Sequence, residues 1–229
     1  MNQGVAETTD DVTQRAVFDV MRTTGSTRSF SDVHVPDDVI DAAIEAARFA
    51  PSGGNRQPVR WIVVRDATIK ASLADLYLPL WQRDMAMFLG GTMRLGMDDV
   101  GPAIAAANHF AEHIGEASAI LVGCVVRKDL HAHMEGPDGP NMLTGSSVYP
   151  TVQNLCLALR AQGVGSTLTT LICEREYEAA AILGIPEGVV SACHVVVGYP
   201  AKPFPTSLSR LSVQQLRCTD RYSFSGAPS

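Results

Sequence analysis

The stretch Ala50-Pro51-Ser52-Gly53-Gly54-Asn55-Arg56-Gln57-Pro58 decides how this chain is read. Upstream, Val39, Ile40, Ala43, Ile44, Ala47 and Ala50 recur at helical spacing, and Pro51 ends that pattern. Downstream, Val59-Arg60-Trp61-Ile62-Val63-Val64 is short, β-branched and aromatic, as a strand is. A helix-to-strand connector needs only proline and glycine. This one also offers a hydroxyl, a guanidinium and two amides, on a backbone left bare at Gly53 and Gly54. It reads as a surface that receives a polar ligand.

The pattern extends outward from there. Pro36-Asp37-Asp38 opens the helix that leads into the loop, with proline in the first turn and acidic residues at the positive end of the dipole. Before it, Val12, Ala16, Val17, Val20 and Met21 predict a helix that stops at Gly25, and the polar residues 1–11 predict a flexible arm. Ser26-Thr27-Arg28-Ser29-Phe30 follows as a polar turn. Ile69 to Leu80 begins helically. Residues 81–116 show a Gly90-Gly91 break and a helix from Pro102 to His113. Ala119 to Val126 is a continuous apolar run, hence a buried strand, and residues 128–145 predict a long surface loop. Val148 to Gln162 is the clearest helix, with Gly163 as its C-terminal cap. Ser166 to Ile172 is extended, Arg175 to Leu183 helical, and Ala192 to Val197 a strand ended by Gly198-Tyr199-Pro200. The tail, residues 201–229, is predicted to run over a surface of its own chain or a partner's. Helices outnumber strands without regular alternation, which predicts an α+β domain over residues 12–229, built on one modest mixed sheet.

Composition narrows the functional classes. The chain has 229 residues, 46% apolar and 18% charged, enough for a real core. A formal charge of −6 argues against nucleic-acid binding, which rests on phosphate neutralisation. No apolar run reaches membrane-spanning length. Cys124, Cys156, Cys173, Cys193 and Cys218 are scattered, mostly within apolar runs, without a C-x-x-C pair. They predict buried thiols in a reducing compartment and a cytoplasmic protein.

Several common chemistries lack their motifs. There is no phosphate-binding P-loop, no nucleophile elbow and no H-E-x-x-H. Gly163-Val164-Gly165 follows a helix, where a dinucleotide fingerprint follows a strand. His109 and His113 lie one helical turn apart, but no third zinc ligand converges with them in sequence. Arg28, beside the hydroxyls of Ser26 and Thr27, is suited to a phosphate.

Taken together, these blocks resemble the nitroreductase family of flavin-dependent oxidoreductases. The resemblance runs through Ser26-x-Arg28-x-Phe30, Val35-Pro36, Ala46-Ala47-Arg48-Phe49-Ala50-Pro51-Ser52, Asn55-x-Gln57-Pro58 and Trp61-Ile62-Val63-Val64. It continues through Gln153 to Gly165, Leu183-Gly184-Ile185-Pro186-Glu187 and Val197-Gly198-Tyr199-Pro200, in family order. It implies a nitroreductase-like fold, with a central mixed or antiparallel sheet flanked by helices. It also implies an intertwined homodimer with FMN at the subunit interface. Ser26, Thr27 and Arg28 would hold the phosphate or ribityl chain, with Arg210 of the tail. Ser52, Gly53, Asn55 and Gln57 would meet the flavin, some of them across the dimer, and Leu168, Thr169 and Thr170 would line the ring edge near N5. NAD(P)H would deliver hydride to that flavin atom, and a nitroaromatic, quinone or similar electron-poor acceptor would take it away. Trp81, Met85, Phe88, Phe110 and Tyr149 are candidates for the substrate-pocket wall. Thr24-Gly25 stands where many members carry basic residues, and Thr169-Thr170 lacks the acidic residue of some relatives. A related flavin chemistry (dehalogenation, ene-type reduction, flavin fragmentation) and a non-catalytic flavin-binding sensor or store are the alternatives.

Overall fold

The computed structural model describes residues 9–95, 101–130, 135–136, 139–140 and 145–222. In chain order the elements are α1 (Thr9–Thr23), α2 (Asp37–Ala47), β1 (Val59–Val64), α3 (Ala67–Leu95), α4 (Gly101–His113) and β2 (Ala119–Val126). The two-residue strands β3 (Glu135–Gly136) and β4 (Gly139–Pro140) follow, then α5 (Tyr149–Ala161), β5 (Gly165–Thr169), α6 (Glu176–Leu183), β6 (Val189–Gly198) and α7 (Val213–Leu216). Four strands form one sheet in the order β1-β2-β6-β5, antiparallel at every pairing. The mixed character expected from sequence reduces to one parallel bridge, Ser26 to Ser166, at the outer edge of β5.

Alternation along β2 sends side chains to two cores. Ala119, Leu121 and Val125 meet Ile40, Ala43 and Ala47 of α2 and Val152, Leu155 and Leu159 of α5. Ile120, Val122 and Cys124 meet Leu73 and Tyr77 of α3, Phe110 of α4 and Ala179 of α6. Helices therefore cover both faces, and β2 is buried almost throughout. The small residues Ala43 and Ala47, both 0% exposed, let α2 and α5 pack closely. Gly163 takes φ +78°, and Val164 N–H reaches back to Leu159 O at 2.9 Å, closing α5 where the sequence places its cap.

Other boundaries moved. α1 begins at Thr9, not Val12; residues 1–8 lie outside the described chain. The expected break at Gly90-Gly91 is not one, because α3 runs through it and through Pro79 to Leu95. At Pro79 the local helix-breaker yields to tertiary packing: Leu73, Tyr77 and Leu80 around it are all buried. The extended segment stops at Thr169 and turns into a 3-10 helix, Leu171–Arg175. Much of the predicted loop 128–145 lies outside the described residues; its described part includes the β3–β4 pair.

Two compact units divide the chain: a main one, Thr24–Phe204, and a smaller one that joins the segment ending at Thr23 to the tail starting at Pro205. The smaller unit leaves Val12, Phe18 and Met21 of α1 and Leu211, Val213 and Leu216 of the tail exposed. No helix among the described residues is long and apolar enough to cross a membrane.

Candidate active site

The turn from Ser26 to Ser31 is fastened along the sheet. Thr27 N–H donates to Ser166 O at 2.9 Å, Thr167 Oγ1 donates to Thr27 O, Ser31 N–H donates to Tyr199 O at 2.8 Å and Ala201 N–H donates to Ser29 O at 3.0 Å. Gly165 and Gly198 face each other across β5 and β6. A Cβ on Gly165 would lie 2.5 Å from Thr27 Oγ1, and one on Gly198 would lie 2.8 Å from Phe30 Cδ1. The missing side chains thus form the bed on which the turn lies. Thr27 spends its backbone and its side chain on this contact and does not line the neighbouring cavity. Ser26 and Arg28 stay exposed, one residue to either side.

That cavity has a volume of about 420 Å³ and is walled by Ser26, Arg28, Thr167 to Leu171 and side chains of α3 and α4. Arg28 has no hydrogen-bond or ion-pair partner among the described residues. Tyr77, 3% exposed, meets Phe110 edge-on at 6.0 Å and stacks parallel to Trp81 at 6.4 Å. Trp81 Nε1 donates to Asn108 Oδ1 at 2.8 Å, which fixes the indole. Burial pushes the Tyr77 phenol above its ordinary value; Thr169 and the Arg28 charge pull against that shift, and Asp84 adds to it. The phenol therefore stays protonated at neutral pH, between one cation and one anion. Thr169 Oγ1 accepts from Leu171 N–H at 3.3 Å, and Thr169 pairs across the sheet with His194, which is 0% exposed.

A second cavity of about 300 Å³ shares Ser26 and Leu168 with the first and is also lined by Thr24, Gly25, Tyr149 and Gln153. Leu168, 42% exposed, stands between the two. Trp81 and Phe110 fall in the first cavity and Tyr149 in the second. Met85 and Phe88 line neither. Arg210, in the smaller unit, is exposed and donates to Ser209 O at 2.7 Å. His113 Nδ1 lies 2.7 Å from His109 O, so one histidine of the candidate zinc pair is engaged with its own helix.

The Ser52–Gln57 loop is built separately. It holds a 3-10 turn, Gly53–Asn55, and places three residues in left-handed conformation: Gly54 (φ 61°), Asn55 (φ 54°) and Gln57 (φ 48°). Asparagine tolerates this region; glutamine adopts it only when its surroundings impose it. Ser52 Oγ accepts from Gln57 N–H at 3.0 Å, Ser147 Oγ accepts from Gly53 N–H at 3.1 Å, and Arg56 donates to Leu130 O at 3.0 Å. The loop is therefore tied in place, with Gly53, Asn55 and Gln57 exposed, yet no loop residue lines either cavity. Within one chain, the loop residues and the cavity-lining residues are thus two distinct sets.

Sequence reading missed Tyr77 and Asp84. Together with Trp81 they fall at i, i+4 and i+7 on one face of α3, a spacing that was visible only to a reader who carried the helix past Leu80.

The sequence profile of the nitroreductase family matches residues 21–199, and the chain belongs to that family. An Archaeoglobus fulgidus protein assigned as an NADH dehydrogenase/NAD(P)H nitroreductase is 27% identical over 177 residues, covering 76% of this chain and 80% of that one. The iodotyrosine deiodinase of Drosophila melanogaster is 26% identical over 190 residues, covering 81% of this chain and 63% of its own. Among solved structures, the NADPH:FMN oxidoreductase of Vibrio harveyi in complex with NAD+ superimposes with a TM-score of 0.64 at 20% identity, over 92% of this chain and 80% of that one. An iodotyrosine deiodinase bound to FMN and 3-iodo-L-tyrosine gives 0.63 at 21% identity, over 86% and 96%.

Proposed function

We propose that this protein is an FMN-dependent oxidoreductase, with NAD(P)H as hydride donor and a nitroaromatic, quinone or similar electron-poor molecule as acceptor. The observation that carries the reading, within the family membership, is Arg28: an exposed guanidinium without a protein partner among the described residues, beside the Ser26 hydroxyl at a cavity edge. A cation held open in this way fits the phosphate of FMN, through charge-assisted hydrogen bonds. Ser26 and Arg28 would hold the phosphate and ribityl end. Leu168, Thr169 and Thr170 would lie along the ring edge, where backbone N–H groups would stabilise negative charge. When bound, FMN would accept hydride at N5 from NAD(P)H and return it to the acceptor. The chain's part is to orient both partners, to keep water from the ring with Tyr77, Trp81 and Phe110, and to hold the Tyr77 phenol protonated.

The loop fits this reading only in a homodimer. Ser52, Gly53, Asn55 and Gln57 are poised, and all but the half-buried Ser52 are exposed, but they line neither of the two cavities described above, so they would meet the flavin held by the partner. The exposed apolar residues of α1 and of the tail (Phe18 49%, Leu211 60%, Leu216 63%) support an embrace between two copies. None of the five cysteines is in a disulfide, which fits a reducing, cytoplasmic setting. The deiodinase relatives favour a second reading, reductive dehalogenation in the same site. The test is the absorbance spectrum of the purified protein with mass analysis of the released chromophore, followed by NAD(P)H oxidation with nitroaromatic, quinone and haloaromatic acceptors. A colourless protein that cannot be reconstituted with FMN would end the proposal; halide release in place of nitro reduction would select the second reading.

A further inference from the structure

The larger cavity contains two opposite charges in different circumstances. Arg28 has no protein partner among the described residues, and in the function proposed above its charge is engaged by the cofactor phosphate. Asp84 belongs to a three-residue cluster. Arg83 donates to it from Nε at 2.9 Å and from Nη2 at 2.6 Å, and both bonds end on the same oxygen, Oδ1. On its other side Arg83 grips both oxygens of Glu174, at 2.9 Å from Nη1 and 3.0 Å from Nη2. Two carboxylates on one guanidinium leave a net charge of −1. Asp84 lines the cavity, while Glu174 does not. Asp84 Oδ2 has no hydrogen-bond partner among the described residues. The uncompensated charge is therefore expressed toward the cavity, on the same face of α3 as the phenol of Tyr77 and the fixed indole of Trp81. The aromatic walls on this side of the cavity suit a flat ring with a short substituent.

We propose that Asp84 makes this cavity selective for electron-poor aromatic acceptors that carry a cationic or hydrogen-bond-donating substituent, and selective against anionic ones. The proposal rests on the reading that FMN, held at Ser26, Arg28 and Leu168 to Thr170, leaves the Tyr77, Trp81 and Asp84 part of this cavity to the acceptor. Arg83 positions the Asp84 carboxylate by pinning Oδ1, and Glu174 supplies the second negative charge that keeps the cluster from being neutral. A simple Arg83–Asp84 pair would be neutral and would present only the weaker field of a dipole with its carboxylate end toward the cavity; the added carboxylate gives the cluster its net negative charge. Once the phosphate has taken up Arg28, the remaining field at the acceptor is negative. A partly exposed charge of this kind changes affinity by a factor of about 3 in each direction, so that a cation and an anion of equal shape differ by about 10-fold.

Three acceptors of matched shape test this: 4-nitrobenzylammonium, 4-nitrobenzyl alcohol and 4-nitrophenylacetate, whose methylene insulates the nitro ring from the charged end. With the flavin-loaded protein, kcat/KM should fall in that order, by about 10-fold from first to last. Asp84→Asn should bring the cation-to-anion ratio to within about 2-fold, and Glu174→Gln, which leaves the cavity wall intact, should give an intermediate ratio. Equal rates or an anion preference in the wild-type chain, or a ratio unmoved in Asp84→Asn, would overturn the proposal even if one variant folded poorly. Calorimetric binding of benzylammonium and of phenylacetate, neither of which can be reduced, separates this from the proposed function. Asp84-dependent binding of the cation without reduction of any nitro compound would sustain the selectivity and sink the reductase reading. Reduction of all three acceptors alike would sustain the reductase reading and sink the selectivity.

Discussion

Replacing Gly165 with alanine would drive a methyl group into Thr27. The new Cβ would stand 2.5 Å from Oγ1, 2.7 Å from Cγ2 and 2.8 Å from Cβ of Thr27. Rotation about χ1 can move the first two atoms but not the third, so the backbone of the Ser26–Phe30 turn must move. Overpacking of this kind costs about 1–3 kcal/mol. The Thr27 N–H to Ser166 O bond and the Thr167 hydroxyl bond to Thr27 O are strained with it, and each is worth about 0.5–1.5 kcal/mol. The smaller conformational entropy of an unfolded chain with alanine returns about 0.4–1 kcal/mol. Gly165→Ala should thus lose about 2–4 kcal/mol in urea unfolding. It should also weaken FMN binding, because Ser26 and Arg28 ride on the displaced turn. Combining it with Thr27→Gly removes all three clashing atoms, so the double variant should be less destabilised than the sum of its parts. Strict additivity, or a single variant as stable as the parent and with unchanged FMN affinity, would refute the account of this bed.

Arg28→Ala should weaken FMN binding about 10-fold or more in a fluorescence titration, through loss of a charge-assisted contact, while barely changing the urea midpoint of the FMN-free protein. Gln57→Gly relieves a left-handed glutamine and should raise stability by about 0.5–1 kcal/mol, at the expense of cofactor affinity; a loss of stability would show that the φ of 48° carries no strain. Burial pushes the His194 imidazole down from 6.5 to about 4. The unfolded chain takes up a proton between those values that the folded chain refuses, so stability is full above pH 6.5 and falls by about 3 kcal/mol toward pH 4. His194→Leu should flatten this acid limb in pH-dependent unfolding. Burial also pushes the Cys124 thiol up to about 11 and that of Cys193 to about 12, so both should resist alkylation at pH 8 until the chain unfolds.

The sheet was legible because its strands carry their own signal. β1 and β2 fall where a β-branched or unbroken apolar run places them, and α5 ends at the glycine that caps it. α3 was not legible past Leu80. Pro79 and the Gly90-Gly91 pair are local signals against a helix, whereas the contacts that α3 makes around Pro79, of Tyr77 with Phe110 and of Trp81 with Asn108, are with residues distant in sequence. The cost was specific: Asp84, one turn beyond Leu80, was not among the candidate cavity residues. That Ser26 and Arg28 are exposed polar groups was legible from their chemistry; the engagement of Thr27 with the sheet was not, because its orientation depends on a glycine in another strand. The loop's amides announced a polar surface. That the loop would be tied down without lining either cavity is a matter of tertiary placement, which no run of residues encodes.

The turn on its glycine bed also guards the sheet. β5 is an outer strand, and an outer strand offers unpaired backbone groups to any other extended chain. The Ser26–Ser166 bridge and the Thr27 N–H bond to Ser166 O cover the start of that edge with the chain's own backbone. The segment that presents Arg28 is thus also a shutter over a strand that would otherwise recruit copies of itself. A chain shortened past Arg28 would lose more than a ligand contact: it would expose a template for edge-to-edge aggregation.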